Sequence, residues 1–367
     1  MKKTPFITHV VLIAAIFFYF VSPCNSCTTF VLKNGSVLLF GKNLDLYTSK
    51  GFIVINKRDT EKYSLILPPE KPVHWTSKYG SITFNQVGKE FPFGGMNETG
   101  FVVEMMQLNA SVFPSADERP AIMEIQYIQY LLDNCSTVEE AIQLTERIRL
   151  SQKLKGTHFL VCDGKGKTAV IEFLNGKLVY HTGEAMPVTA LTNDTYKKSL
   201  WALDTYNTFE PEKQKGHNTS HSLDRFVNAA RMVENFKSVV TQPAVDYAFD
   251  ILKTVGKERS RSSFTVWSIV YDIKNLKIYF RTENNGNIRI VDFIDFDFSG
   301  ESASTVYDLS GGHKGNIAGN FIDYSTKLNR KIIRSVLDIY IRKNYIRRIT
   351  DMEMEMLATF PEKFTGK

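Results

Sequence analysis

Cys27 ends the stretch Ser22-Pro23-Cys24-Asn25-Ser26-Cys27, which follows an unbroken apolar run at 10–21. Ser26 is a small residue suited to the position before a leader cleavage. A cut there makes Cys27 the first residue of the mature chain. An N-terminal cysteine carries a nucleophile and a base on one residue. Its α-amino group, with a free pKa of about 8, can take the thiol proton directly or through one water. Such a pairing is a known solution to amide hydrolysis. The amine must be neutral and held in place, which asks for a nearby carboxylate. Asp45 stands ready for that across a short hairpin. The developing oxyanion needs amide or backbone donors, and a cation near the thiol favours the thiolate.

The remaining cysteines fit that chemistry poorly. Cys135 follows an expected helix, and Cys162 ends the strand-like His158-Phe159-Leu160-Val161-Cys162, so both read as buried apolar residues, with a pair between them as the alternative. Loss of Cys24 with the leader leaves an odd count, hence at least one free thiol. A lipid-modified or merely structural Cys27 is the competing reading, but Pro23, Cys24 and Asn25 match a lipoprotein signal badly.

The elements that must position these residues follow from local patterns. Residues 1–26 read as a signal peptide: Lys2 and Lys3 open it, and the apolar run falls short of the ~20 residues a spanning helix needs. The protein is therefore expected to be exported, to a periplasm or to the medium. Apolar runs at 28–32 and 37–43 flank Lys33-Asn34-Gly35-Ser36, a strong hairpin signal. Further hairpins are expected around Asp163-Gly164-Lys165-Gly166-Lys167, around Asn175-Gly176, and after 264–272, with a last strand at 288–296. Helices are expected at 121–132, at 141–150 behind a capping box at Ser136 to Glu139, at 222–236 and at 243–254. Strands and helices alternating in blocks suggest sheets layered against helices in one domain, 27–325. From 326 to 367 the chain becomes a basic amphipathic helical extension. Ile332, Ile333, Val336, Leu337, Tyr340 and Ile341 recur at helical spacing among Lys and Arg. Packing against the main domain is the favoured reading, and contact with a membrane surface the alternative.

Several motifs then stand in order at suitable spacing. They are Cys27-Thr28-Thr29, Gly35, Phe40-Gly41-Lys42-Asn43-Leu44-Asp45, Trp75-Thr76-Ser77-Lys78-Tyr79-Gly80 and Gly95-Met96-Asn97-Glu98-Thr99-Gly100. Leu191-Thr192-Asn193, Asp224-Arg225-Phe226 and Thr265-Val266-Trp267-Ser268 follow. Over about residues 27–300 this set resembles the choloylglycine hydrolase family, the bile salt hydrolases and penicillin V acylases among the N-terminal-nucleophile hydrolases. Each piece is weak alone, whereas the ordered set is specific. The resemblance implies an α+β fold, a four-layer αββα sandwich. It makes Cys27 nucleophile and, through its amine, base, with Asp45 holding the amine. Asn193 would donate its side-chain amide to the oxyanion, Gln107 a backbone N–H, and Arg225 would stabilise charge. Two positions depart from the family: Lys42 stands where arginine is common, losing the planar fork, and Gln107 replaces asparagine or tyrosine. The short interval from Asn193 to Arg225 resembles the shorter-looped branch, so a tetramer is not implied, and a homo-oligomer stays open.

The substrate class so implied is a linear, non-peptide amide with an apolar acyl group, of conjugated bile salt or penicillin V type. Long-chain N-acyl amides, including acyl homoserine lactones, are the alternative, and a non-catalytic envelope binding protein on the same scaffold is the rival from another class. Residues 48–52 and 75–79 are candidates for the pocket rim. No cofactor or metal is expected: His217 and His221 are four apart but lack an acidic third ligand at zinc-like spacing. Removing Lys2 and Lys3 with the leader lowers the formal charge from +6 to +4. With no interleaved basic and aromatic stripe in the main domain, nucleic acid is not an expected partner.

Overall fold

A computed structural model describes residues 26–151, 156–209, 221–236, 243–259, 263–344 and 346–366. The expected leader, except Ser26, and His217 lie outside them. Five strands frame the site: β1 (Thr28–Asn34), β2 (Val37–Leu46), β3 (Val102–Gln107), β4 (Thr157–Cys162) and β5 (Phe264–Asp272). β1 and β2 form the expected hairpin, with Thr28 opposite Asn43. Its turn lies one residue later than expected. Asn34 already pairs with Val37, and Gly35 alone takes the positive φ, +56°. At the second site both Asn175 and Gly176 are left-handed (53° and 76°), the shape a two-residue I′ turn requires.

β1, β2 and β5 lie side by side in a seven-stranded sheet, and β3 and β4 are neighbours in a nine-stranded one. Period-2 alternation tells how the sheets stack. In the nine-stranded sheet Ile53, Ile55, Ile82, Phe84, Val102, Met106, Leu160 and Cys162 share one core with Val31, Leu38 and Phe40 of the hairpin. The alternate residues Val103, Met105, Phe159 and Val161 face away, onto Tyr127, Ile128 and Leu131 of helix α1 (Glu124–Asn134). Helices α4 (Ser222–Asn235) and α5 (Ala244–Thr254) cover the other side of the seven-stranded sheet, against β1, β2 and β5. Helix, sheet, sheet, helix is the αββα order. α2 (Val138–Arg147) and α3 (Tyr196–Phe209) complete this part.

The C-terminal segment joins the outer layer. α6 (Thr326–Arg342) buries Ile332, Ile333, Val336, Leu337 and Tyr340 in a core with Phe52, Val54 and Val306 of the nine-stranded sheet. Each such side chain contributes about 1.5–3 kcal/mol. α7 (Asp351–Thr359) packs on α6, and Thr365–Gly366 pairs with Thr60–Tyr63.

Three local expectations shift. The first helix starts only at Glu124, because Ala121–Ile122 pairs in parallel with Arg149–Leu150. That same pairing ends α2 at Arg147. Its capping box is Thr137 with Glu140, each side chain bonded to the other's backbone N–H. Both registers satisfy the Ser/Thr-x-x-Glu pattern. The observed one buries Val138 and Ala141 and leaves Glu139 at the surface against Lys167.

Candidate active site

Cys27 lies immediately before β1, 3% exposed, in the core between the layers. Its nitrogen is here the amide of the bond to Ser26. β2 runs beside it and brings Lys42, opposite Thr29, and Asp45. On the far side of β2, β5 carries a bulge between Thr265 and Trp267, which sets Thr265 opposite Asp45. Thr265 Oγ1 donates to Asp45 Oδ1 at 2.7 Å. The other carboxylate oxygen, Oδ2, is buried and has no hydrogen-bond partner among the described residues. An unmet buried acceptor costs about 1–3 kcal/mol. Burial pushes the carboxyl up to about 6, against the pull of the Arg225 cation and the Thr265 hydroxyl. Burial likewise raises the Cys27 thiol. Lys42 pulls it down most strongly, Asp45 pushes it up, and the Asp45 backbone N–H and Arg225 pull it down. A thiol in that setting needs a base before it can attack.

Arg225, on α4 and fully buried, ties the other residues together. Its Nε donates to Thr28 Oγ1 at 3.2 Å and its Nη2 to Asn193 Oδ1 at 2.9 Å. Asn193 Nδ2 in turn donates to the Gln107 carbonyl at 2.9 Å, and Asn193 N to Ser222 Oγ. An amide nitrogen carries two hydrogens, so one remains for a further acceptor. The ladder bond from Leu108 N to Gly156 O makes Thr157 and Gln107 a non-hydrogen-bonded pair. The Gln107 N–H therefore points away from β4, to the same side as its carbonyl, where Asn193 lies.

Lys42 is fully buried, donating to the Met105 carbonyl, with Glu104 Oε2 at 3.4 Å; Tyr271 donates to Glu104 Oε1. Its charge thus has a carboxylate partner in β3 and still bears on the thiol. All six candidates, Cys27, Lys42, Asp45, Gln107, Asn193 and Arg225, fall into one connected cluster. The proposed rim at 75–79 does not join it. Trp75 packs on Tyr130 under α1, on the opposite face of the nine-stranded sheet, and donates to Asp133. Residues 48–52 are largely packed in place: Trp267 donates to the Ser49 carbonyl, and Phe52 faces the outer core.

Sequence reasoning missed a supporting pair. His158, fully buried, places Nε2 2.7 Å from the Thr192 carbonyl and Nδ1 3.0 Å from Glu172 Oε1. Both partners are acceptors, one at each ring nitrogen. Burial raises the Glu172 carboxyl, but the hydrogen bond from His158, the His181 ring 3.7 Å from Oε2 and the Tyr196 N–H outweigh it and hold it down to about 2. Thr192 precedes Asn193, so this pair anchors the segment that carries it. The signal was present: once Phe159 is set opposite Ile171, His158 and Glu172 face each other across the hairpin.

The model of the family described as linear amide C–N hydrolases, choloylglycine hydrolase family, matches residues 27–307. A penicillin V acylase of Pectobacterium atrosepticum is 26% identical, over 70% of this chain and 82% of the relative. Among solved structures, penicillin V acylase from Agrobacterium tumefaciens superposes with a TM-score of 0.72 at 25% identity, covering 82% of this chain and 98% of that one. A variant of conjugated bile acid hydrolase from Clostridium perfringens shares the fold, with a TM-score of 0.62 at 19% identity over 77% of this chain and 97% of that one.

Proposed function

The chain belongs to the choloylglycine hydrolase family of linear amide C–N hydrolases, and on that premise we propose that it is an exported amidase whose nucleophile is Cys27 at a newly made N-terminus. The observation that carries the reading is the orphaned Oδ2 of Asp45 beside a buried cysteine. A free α-amino group at Cys27 is the donor this oxygen lacks, and Asp45 would fix it for proton transfer.

The amine takes the thiol proton while Sγ attacks the amide carbon. The tetrahedral oxyanion is met by the second N–H of Asn193 and the N–H of Gln107. Arg225 holds Asn193 by its Oδ1, so the amide presents its nitrogen rather than its oxygen. Collapse breaks the C–N bond, the ammonium returns its proton to the leaving amine, and a thioester remains. Water, activated by the same amine, then releases the acid. Lys42 eases thiolate formation from behind.

The names of the relatives support penicillin V and conjugated bile salts as the first substrates to assay, with long-chain N-acyl amides alongside. Hydrolysis of one class, abolished in Cys27→Ala, supports the reading. Inactivity on all three overturns the substrate class, and undiminished turnover in Cys27→Ala overturns the mechanism. Intact-mass measurement tests the leader: a chain that starts at unmodified Cys27 supports the proposal, and a retained leader or a lipid on the cysteine removes the base.

A further inference from the structure

A cavity of about 140 Å³ lies where the C-terminal segment meets residues 56–62 and the loop at 300–304, with Pro361 and Phe364 in its wall. It shares no residue with the Cys27 cluster. Lys57, Lys62 and Lys89 all line it, together with a single carboxylate, Glu90, and with Ser302 and Ser304. The three ammonium groups are not equivalent. Lys62 is paired with Glu90 Oε2 and Asp133 Oδ2, both at 3.1 Å. Lys57 donates to the Asp297 carbonyl and to Ser302 Oγ at 2.8 Å. Lys89 donates to Ser304 Oγ at 2.9 Å and lies 4.9 Å from the Tyr324 ring centre. Among the described residues neither Lys57 nor Lys89 has a carboxylate within 4.0 Å. Asp297 turns its carboxylate to Ser299.

Two ammonium groups resting on neutral oxygens beside a third are a costly arrangement in a half-enclosed space. Burial lowers both amines, Lys89 to about 8, where Glu90 pulls back up and Lys62 and Lys57 add repulsion. A multiply charged oxyanion relieves that arrangement with the geometry lysine suits, a point charge to each oxygen. Ser304 accepts from Lys89, which leaves its hydroxyl hydrogen to donate. At about 30 Å³ per water, the space takes one tetrahedral ion with a water or two. It is too small for drug-sized ligands, which fill roughly 300 Å³ or more.

We propose that this cavity is a binding site for a small oxyanion of the phosphate or sulfate class, held by Lys57, Lys89 and the Ser304 hydroxyl, beside Pro361 and Phe364 of the C-terminal segment. The test is thermal unfolding of the full chain titrated with inorganic phosphate, with sulfate and with glycerol 3-phosphate, against sodium chloride at matched ionic strength. A saturable rise in Tm of roughly 3–6 °C with any of the three oxyanions is expected. Tighter binding of glycerol 3-phosphate would mark a phosphate ester as the source, and tighter binding of phosphate the free ion. Lys89→Met and Lys57→Met each remove a buried ammonium that has no carboxylate within 4.0 Å among the described residues, so each should raise Tm without oxyanion and lose the oxyanion-dependent increment. No rise above the chloride control, or an equal rise in both variants, overturns the proposal. Two variants are used so that one folding poorly does not decide the outcome.

Discussion

Asp45 and Glu172 are both fully buried carboxylates, and both stand near the segments that carry Cys27 and Asn193. Their surroundings push them in opposite directions. Glu172 receives Nδ1 of His158 and the backbone N–H of Tyr196 at 3.0 Å, with His181 at 3.7 Å from its second oxygen, and is held near 2. Asp45 receives one hydroxyl, keeps an orphaned oxygen, and is pushed to about 6. Burial is common to the two, so burial does not mark the reactive acid. Each leaves one buried oxygen vacant of hydrogen bonds among the described residues. The donors already on the other oxygen, and the neighbour at the vacancy, Cys27 for Asp45 and the His181 ring for Glu172, tell them apart.

The largest expected effect removes the reason for the vacancy. Cys27→Ala should lower kcat by about a thousandfold or more and leave Tm nearly unchanged; a variant that loses fold along with activity would break the contrast. Glu172→Gln comes next. It replaces a buried carboxylate that accepts from His158 and from the Tyr196 N–H and should destabilise by about 1–3 kcal/mol, read from denaturant unfolding.

Asp45→Asn should do the reverse to stability while also disabling turnover. In the chain that retains Ser26, the folded pKa of about 6 lies above the unfolded 3.8. The Asp45 contribution is therefore fully present below pH 3.8 and lost as pH rises through 6. At pH 7 the charged form costs up to about 3 kcal/mol. The Tm advantage of Asp45→Asn over the parent should thus be absent near pH 4 and grow toward pH 7. Glu172 has the opposite sign: its contribution is present above its ordinary 4.5 and lost as pH falls through about 2.

Activity of the mature enzyme should follow the Asp45 carboxylate, falling about tenfold per pH unit on an acid limb at or below pH 6, since a paired amine can only pull the carboxyl lower. The pH dependence of kcat/KM checks this. The smallest effect is expected at Lys42→Arg. The charge persists beside Glu104, so the rate of Cys27 alkylation should change by less than about tenfold.

How much of this was legible in the sequence depended on range. The hairpin and the facing of Cys27 and Asp45 come from an Asn-Gly turn and a few residues on either side. The α6 stripe was legible because Ile332, Ile333, Val336, Leu337 and Tyr340 contrast sharply with their Lys and Arg neighbours. α3 and α7 were not, since Trp201 sits exposed on one and the other mixes Met with Glu without a clear face. Asn193, Arg225 and Gln107 come from distant elements and were reachable only through the ordered motifs. His158 and Glu172 needed a strand register, and the capping box was ambiguous by one residue because two readings satisfy one pattern. Trp75 went astray for a related reason: a motif fixes residue order but not the face of the sheet.

The position of Ser26 carries a consequence of timing. Ser26 is 4% exposed and Cys27 3%, and the strand that follows is flanked on both sides, by Ala190–Leu191 and by β2. A peptidase needs its bond in an extended, reachable chain, and the folded protein does not offer this one. Any removal of the residues before Cys27 must therefore occur while β1 is still unpaired. If Cys27 becomes N-terminal as proposed, cutting would compete with closing, and molecules that folded first would keep their amine blocked.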